Sequence, residues 1–217
     1  MKDTASPTAA TGYVHHVTGA VAAATLTALA WTLAGRSSVP QGEERVFRLV
    51  NQGSAAWWPL LWPTMQLGNL AAPAAIGAVI AVRTRRWRPV TAVLVAGYGA
   101  WAGAQVLKAL VRRDRPEALL ADVVVREPVE GRGFASGHAA ISTAIAVALW
   151  PYLGIRGRLA AAALAGLVGV GRIYSGAHLP LDVVSGQAIG VLAGIGTTAI
   201  VGALRPAREA AGNPGRC

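Results

Sequence analysis

Apolar and polar positions alternate along this chain in long blocks rather than in short periods. Apolar runs extend from about Val14 to Ala34, Pro59 to Val82, Pro89 to Leu110, Ser136 to Tyr152, Leu159 to Ile173 and Pro180 to Leu204. A membrane-crossing helix needs roughly 20 apolar residues, so the pattern predicts six spanning helices. Between the first two runs, Glu43, Glu44, Arg45 and Arg48 interleave with Val46, Phe47, Leu49 and Val50. That interleaving predicts a short amphipathic helix at the membrane surface. The fifth and sixth runs are rich in Ala and Gly, which suits close helix packing.

Composition supports this class. The chain has 217 residues, 53% of them hydrophobic and only 14% charged. A soluble domain carries roughly 25% charged residues. No polar linker divides the runs, so residues 14–204 are expected to form one all-α domain, a six-helix membrane bundle. Residues 1–13 are expected to be a mobile tail and 205–217 a basic tail. No removable signal peptide is expected at the N-terminus. The one cysteine, Cys217, excludes a disulfide within the chain.

The net charge of +10 would suggest nucleic acid in a soluble protein. Here the basic residues cluster between apolar runs, so no nucleic-acid partner is expected and membrane orientation is the better account. Arg83, Arg85, Arg86 and Arg88 share a side with the Gly154–Arg158 turn and both termini, and the positive-inside rule makes that side cytoplasmic. The surface helix, the charged 111–135 segment and the turn from Tyr174 to Leu179 face outward. The expected location is a bacterial plasma membrane, crossed several times. Trp57, Trp58, Trp87, Trp150 and Tyr152 fall at expected interfaces, while Trp62 and Trp101 read as packing residues. His15 and His16, at the start of the first run, lack the further ligands a zinc site needs.

On this topology several polar residues converge at the outer face. Lys108 closes the third run, Ser136, Gly137 and His138 open the fourth, Arg172 ends the fifth, and His178 and Asp182 lie at the start of the sixth. Each residue type suits phosphate. Helix-start amides after an N-cap serine bind phosphate oxygens. Lys108, Arg115 and Arg172 can neutralise the remaining oxygens. His178 and Asp182 are four apart, hence neighbours on a helical path. Asp182 can then accept the Nδ1 proton of His178 and leave Nε2 free to attack phosphorus. His138 is placed to protonate the leaving oxygen. Taken singly, each of these residues also has a structural reading as a turn, cap or interfacial anchor. Arg112 and Arg113 can serve a second phosphate or be solvated loop charges. The scattered acids Asp114, Glu117, Asp122, Glu127 and Glu130 show no metal-ligand spacing, so neither a metal nor another cofactor is expected.

Lys108-x6-Arg115-Pro116, then Ser136-Gly137-His138, then Arg172-x5-His178-x3-Asp182 resembles the three-part signature of the type 2 phosphatidic acid phosphatase (PAP2) superfamily. That superfamily also holds vanadium haloperoxidases and bacterial undecaprenyl-diphosphate phosphatases. The resemblance covers roughly residues 40–204. It implies that Lys108, Arg115, Arg172, Ser136 and Gly137 bind phosphate, that His178 is the nucleophile oriented by Asp182, and that His138 is the general acid. The implied activity is metal-independent hydrolysis of a lipid phosphate or diphosphate through a phosphohistidine, with membrane lipids around the enzyme and the oligomeric state left open. Phosphatidic acid, polyprenyl diphosphate, phosphatidylglycerol phosphate and a polyprenyl sugar phosphate all remain possible substrates. A lipid phosphotransferase using the same site and a non-catalytic transporter or scaffold are the alternatives. Ionisable residues near mid-span would favour a transporter, and Asp182, the one acid at a run, is terminal. Two positions depart from the usual signature: Ala135 replaces Pro, and Gly171 replaces Ser.

Overall fold

The computed structural model of the protein describes residues 7–35 and 38–203, with side chains from residue 17 to 201. His15, His16 and the basic tail fall outside the described side chains, and of the N-terminal tail residues 1–6 fall outside the described chain. Among the described residues the chain is all-helical, without strands: α1 (Pro7–Ala34), α2 (Gln41–Asn51), α3 (Trp58–Met65), α4 (Ala72–Thr84), α5 (Trp87–Val111), α6 (Pro116–Leu119), α7 (Gly137–Leu149), α8 (Ile155–Tyr174) and α9 (Pro180–Ala203). Among the described residues three helices are each long and apolar enough to cross a membrane, α1, α5 and α9, and the bent α3–α4 pair would make a fourth span if taken as one.

The second apolar run is not one straight helix. It forms α3 and α4, with a 3-10 turn over Gln66–Gly68 between them and an 80° bend. Asn69 causes the break. Its Oδ1 accepts the Ala71 and Ala72 amides at 3.0 and 2.9 Å, closing a turn just before α4, and Pro73 follows in the first turn of α4. The polar Gln66-Leu67-Gly68-Asn69 interruption and the proline are visible in the sequence. The one helix expected over Pro59–Val82 is therefore two helices.

Helices α5, α7 and α9 form the centre. Ala92, Ala96, Ala100 and Ala104 of α5 line up every fourth residue and meet Ala140, Ala144 and Ala148 of α7 and Ile189 of α9. Gly186, Gly190 and Gly194 make a matching stripe on α9. A Cβ on them would stand 2.3 Å from the Ser136 carbonyl, 2.5 Å from the Ala140 carbonyl and 2.5 Å from the Val147 Cβ. Small residues at this spacing let helix backbones approach where no hydrophobic force drives them together. Trp62 and Trp101 lie on the outer surface, 47% and 37% exposed. They are not the packing residues expected, because the centre is filled by alanine and glycine.

Helix α2 forms where the amphipathic pattern places it, but its inward stripe is Glu43, Phe47 and Asn51, while Val46 and Leu49 point outward. Asn51 explains part of this. Its Nδ2 donates to the Val124 and Tyr174 carbonyls at 2.9 and 3.1 Å, and its Oδ1 accepts the Val124 amide at 2.9 Å. Arg126 adds bonds to the carbonyls of Asn51, Tyr174 and Gly53 and stacks over the Tyr174 ring at 3.8 Å. The charged 111–135 segment is thereby stapled to α2 and to the end of α8, and it covers one end of the bundle.

Candidate active site

The covered end of the bundle is where the polar residues of the three motifs meet. α5 delivers Lys108 from its last turn, α7 delivers His138 from its first, α8 delivers Arg172 from its last, and the turn before α9 delivers His178. The His138 ring lies among Arg172, His178, Lys108 and Arg115. The floor beneath His138 is the bend in the second apolar run. A Cβ on Gly68 would lie 2.4 Å from the His138 carbonyl, so only glycine lets the two backbones touch there. A surface cleft of about 390 Å³, lined by Gln105, Lys108, Ala109, Glu130, Gly131 and Arg132, opens beside the Lys108 ammonium.

Ser136 caps α7. Its Oγ accepts the Ala139 amide at 3.5 Å, and its own N–H donates to the Asp182 carbonyl at 2.9 Å. That second bond ties the start of α7 to the start of α9. It also commits the Ser136 amide, so the amides that a phosphate can meet at this helix start are those of Gly137 and His138.

The three cations are held in different ways. Lys108 Nζ donates to the Arg132 carbonyl at 2.9 Å and keeps two further N–H groups. Arg115 spreads across three backbone carbonyls, of Gly131, Ala177 and Glu130, at 3.0, 2.7 and 2.7 Å. It fixes the covering segment to the His178 turn and keeps two N–H groups for a ligand. Arg172, 1% exposed, donates Nη1 to Glu127 Oε2 at 2.7 Å. Its Nε has no partner.

His178 is buried. Burial and the charges of Arg172, Lys108 and Arg115 hold its imidazole well below the usual histidine range, against an opposing backbone interaction with Gly133. The ring is therefore neutral at pH 7, the form in which an imidazole nitrogen is a nucleophile. Its Nδ1 stands 3.6 Å from Asp182 Oδ2, beyond hydrogen-bond length. That oxygen accepts the Leu179 amide at 2.9 Å, the back-bond of a capping box at the start of α9. Nδ1 itself has no hydrogen-bond partner. Buried polar atoms without partners are rare and call for an explanation. Among the described residues there are four, and two of them, Arg172 Nε and His178 Nδ1, belong to this site.

Arg113 does not fit the second-phosphate reading, while Arg112 is exposed and donates Nε to the Ala109 carbonyl at 3.3 Å. Arg112 takes the left-handed conformation that ends α5, with φ 52°, and its amide bonds the Lys108 carbonyl. Arg113 is not a solvated loop charge either: it is buried between Glu43 and Asp182. Sequence reasoning missed Glu43, Asn51 and Arg126 as site-building residues. The faint signal for the first two is an acid and an amide at one face of α2, spaced eight apart with Phe47 between. Gly171 has a packing reason: a Cβ there would meet Met65 Cγ at 2.6 Å, so Met65 of α3 fills the space a side chain at 171 would need. Among the described residues no cluster of three His, Cys, Asp or Glu side chains could hold a metal ion.

Residues 62–206 match the PAP2 superfamily model, and the chain belongs to that superfamily. It is 35% identical over 164 residues to decaprenylphosphoryl-5-phosphoribose phosphatase of Mycolicibacterium smegmatis, covering 75% of this chain and 79% of that one. The enzyme of the same name from Mycobacterium tuberculosis is 34% identical over 140 residues, 63% of this chain and 73% of that one. Among solved structures, Aquifex aeolicus LpxE superposes with a TM-score of 0.67 at 27% identity, covering 71% of this chain and 93% of its own. The transmembrane PAP2 type phosphatidylglycerolphosphate phosphatase from Bacillus subtilis superposes with a TM-score of 0.71 over 86% of this chain and 97% of its own. At 19% identity this last likeness speaks to the fold alone.

Proposed function

We propose that this protein is a membrane phosphatase that hydrolyses a lipid phosphate through a phosphohistidine, without a metal. The observation that carries the reading is the meeting of Lys108, Arg115 and Arg172 around a buried His178 whose Nδ1 faces Asp182. The cations and the amides of Gly137 and His138 hold the phosphate oxygens and offset the charge that grows in the transition state. His178 Nε2 attacks phosphorus. The N–P bond forms as the P–O bond to the lipid breaks, and the departing oxygen takes a proton from His138, which enters the step as the imidazolium beside the anionic phosphate and leaves it neutral. Water, deprotonated by His138, then attacks the phosphohistidine and releases inorganic phosphate and free His178. Asp182 steadies the imidazole throughout by taking the Nδ1 proton as its hydrogen bond.

The reading extends to architecture. Six passes are made by α1, the bent α3–α4 pair, α5, α7, α8 and α9, in one domain over residues 14–204. The site faces away from the cytoplasm, as the Arg83–Arg88 and Gly154–Arg158 turns support. The similarity to the mycobacterial enzymes makes a polyprenylphosphoryl sugar carrying a terminal phosphate the first substrate to test.

The test is phosphate release by the purified full-length protein from decaprenylphosphoryl-5-phosphoribose, phosphatidic acid and undecaprenyl diphosphate, with and without EDTA. Release from at least one of them, unchanged by EDTA and blocked by vanadate, is the expected result. Folded protein that releases none sinks the functional reading. Activity lost in EDTA and restored by Mg²⁺ sinks its metal-independent part.

A further inference from the structure

Beyond the motif residues, three charged side chains form a closed, buried chain that ends at the site. Glu43 of α2, Arg113 just past α5 and Asp182 of α9 are 7%, 7% and 0% exposed. Arg113 meets Glu43 with both arms, Nη1 to Oε1 at 3.0 Å and Nη2 to Oε2 at 2.6 Å. Its Nη1 also donates to Asp182 Oδ1 at 3.1 Å. Glu43 Oε1 accepts the Leu181 amide at 2.9 Å, so α2 caps α9 from outside. The Arg113 carbonyl accepts the Gly133 amide at 2.8 Å, which anchors the arginine to the segment leading into Ser136.

The two oxygens of Asp182 thus have separate duties. Oδ1 is held by Arg113. Oδ2 takes the Leu179 amide and faces His178 Nδ1. Two fixed oxygens set the rotation of the carboxylate. Asp182 also needs a counter-charge, because an unpaired buried carboxylate loses its charge. Stability alone is a poor reason for such a chain. Buried ion pairs are often matched or exceeded by well-packed apolar residues of similar volume. The planar fork of arginine is required to reach both acids at once, which the point charge of lysine cannot do.

We propose that Glu43 and Arg113 are positioning residues for the reaction: they fix the Asp182 carboxylate so that Oδ2 accepts the Nδ1 proton of His178 while Nε2 attacks. The proposal rests on the phosphohistidine reading above. Glu43 lies outside residues 62–206, where the family model matches, and neither residue touches the phosphate in this account.

The test is a double-mutant cycle on the full-length protein with a nitrophenyl phosphate ester. Arg113→Met and Glu43→Gln are each measured alone and combined with Asp182→Asn. Loss of a residue that orients a reacting group costs roughly 10–100-fold by analogy with outer-shell partners of metal ligands. Arg113→Met is expected to lower kcat by about that factor with KM held within about two-fold, and Arg113→Lys to recover part of the loss. In the Asp182→Asn background both substitutions should change kcat by less than about two-fold, the signature of residues acting through one another. An unchanged kcat in the single variants overturns the proposal, as does a loss that multiplies fully with Asp182→Asn. If Arg113→Met does not accumulate as folded protein, the near-isosteric Glu43→Gln cycle decides alone. His178→Ala separates the two readings. If it retains wild-type kcat, the phosphohistidine reading falls and this proposal with it. If it is inactive while Arg113→Met and Glu43→Gln match wild type, only the positioning role falls.

Discussion

His178 Nδ1 and Asp182 Oδ2 stand 3.6 Å apart, four residues apart in the chain, with the Leu179 amide already bound to that oxygen. The pair is assembled but not closed. A shift of roughly half an ångström brings it to hydrogen-bond length, and such bonds often tighten only when substrate is bound. In the proposed mechanism Asp182 orients the His178 imidazole, whereas His138, at the start of α7, has no acid bonded to it among the described residues.

This asymmetry separates the two histidines by experiment. General acid catalysis contributes roughly 10²–10⁴-fold, and it matters most for a poor leaving group. His138→Ala should therefore lose most activity on a lipid phosphate yet keep a substantial share on a nitrophenyl phosphate ester. His178→Ala should lose both activities, and Asp182→Asn should fall between. The measurement is kcat/KM for each variant on both substrates. Rescue of His178→Ala by the better leaving group would reverse the assigned roles.

The depressed pKa of His178 predicts a pH effect on stability. In the unfolded chain a histidine titrates near about 6.5. Below that pH the unfolded state binds a proton that the native state refuses, because burial disfavours the charged ring. More protons on the unfolded side mean that stability falls as pH drops below about 6.5, by up to about 1.4 kcal/mol per pH unit, with no contribution above it. Thermal unfolding in detergent at pH 7.5 and 5.5 should show a smaller acid loss for His178→Gln than for wild type. Equal losses would remove His178 from the account.

Orientation is accessible to labelling. In a Cys217→Ser background, cysteines replacing Glu127 and Thr84 should react oppositely with an impermeant thiol reagent. Glu127 lies on the segment covering the site and Thr84 ends α4 at the far end. Labelling at position 84 but not at 127 in intact cells would invert the proposed topology.

Two glycines give opposite expectations. Gly68→Ala drives a Cβ against the His138 carbonyl. Overpacking of this kind costs typically about 1–3 kcal/mol, and here it also displaces His138, the proposed general acid, so kcat should fall with stability. Gly166→Ala in α8 meets open space and should stabilise by about 0.5–1 kcal/mol through helix propensity. Thermal unfolding and kcat of the two variants check both. A Gly68→Ala protein with wild-type kcat would show that the bend does not set the site.

The sequence by itself determined the helical class, the approximate positions of the long helices and the motif residues. Long apolar blocks and the 108–115, 136–138 and 172–182 spacings are local properties, readable without knowing what packs against what. Even the break at Gln66–Asn69 had its local signal in a polar interruption followed by proline. The tertiary structure alone decided what each charge is bonded to. Arg113 reads as a loop charge like its neighbour Arg112, yet one is buried between Glu43 and Asp182 and the other ends a helix. Glu43, 139 positions from Asp182, reads as the polar side of a surface helix, but α2 turns that side inward. Periodicity reports that a helix has two faces. Which face is buried depends on whether the partners across the gap are hydrocarbon or hydrogen-bonding groups, and here Arg113, Tyr174 and Val124 supply the latter.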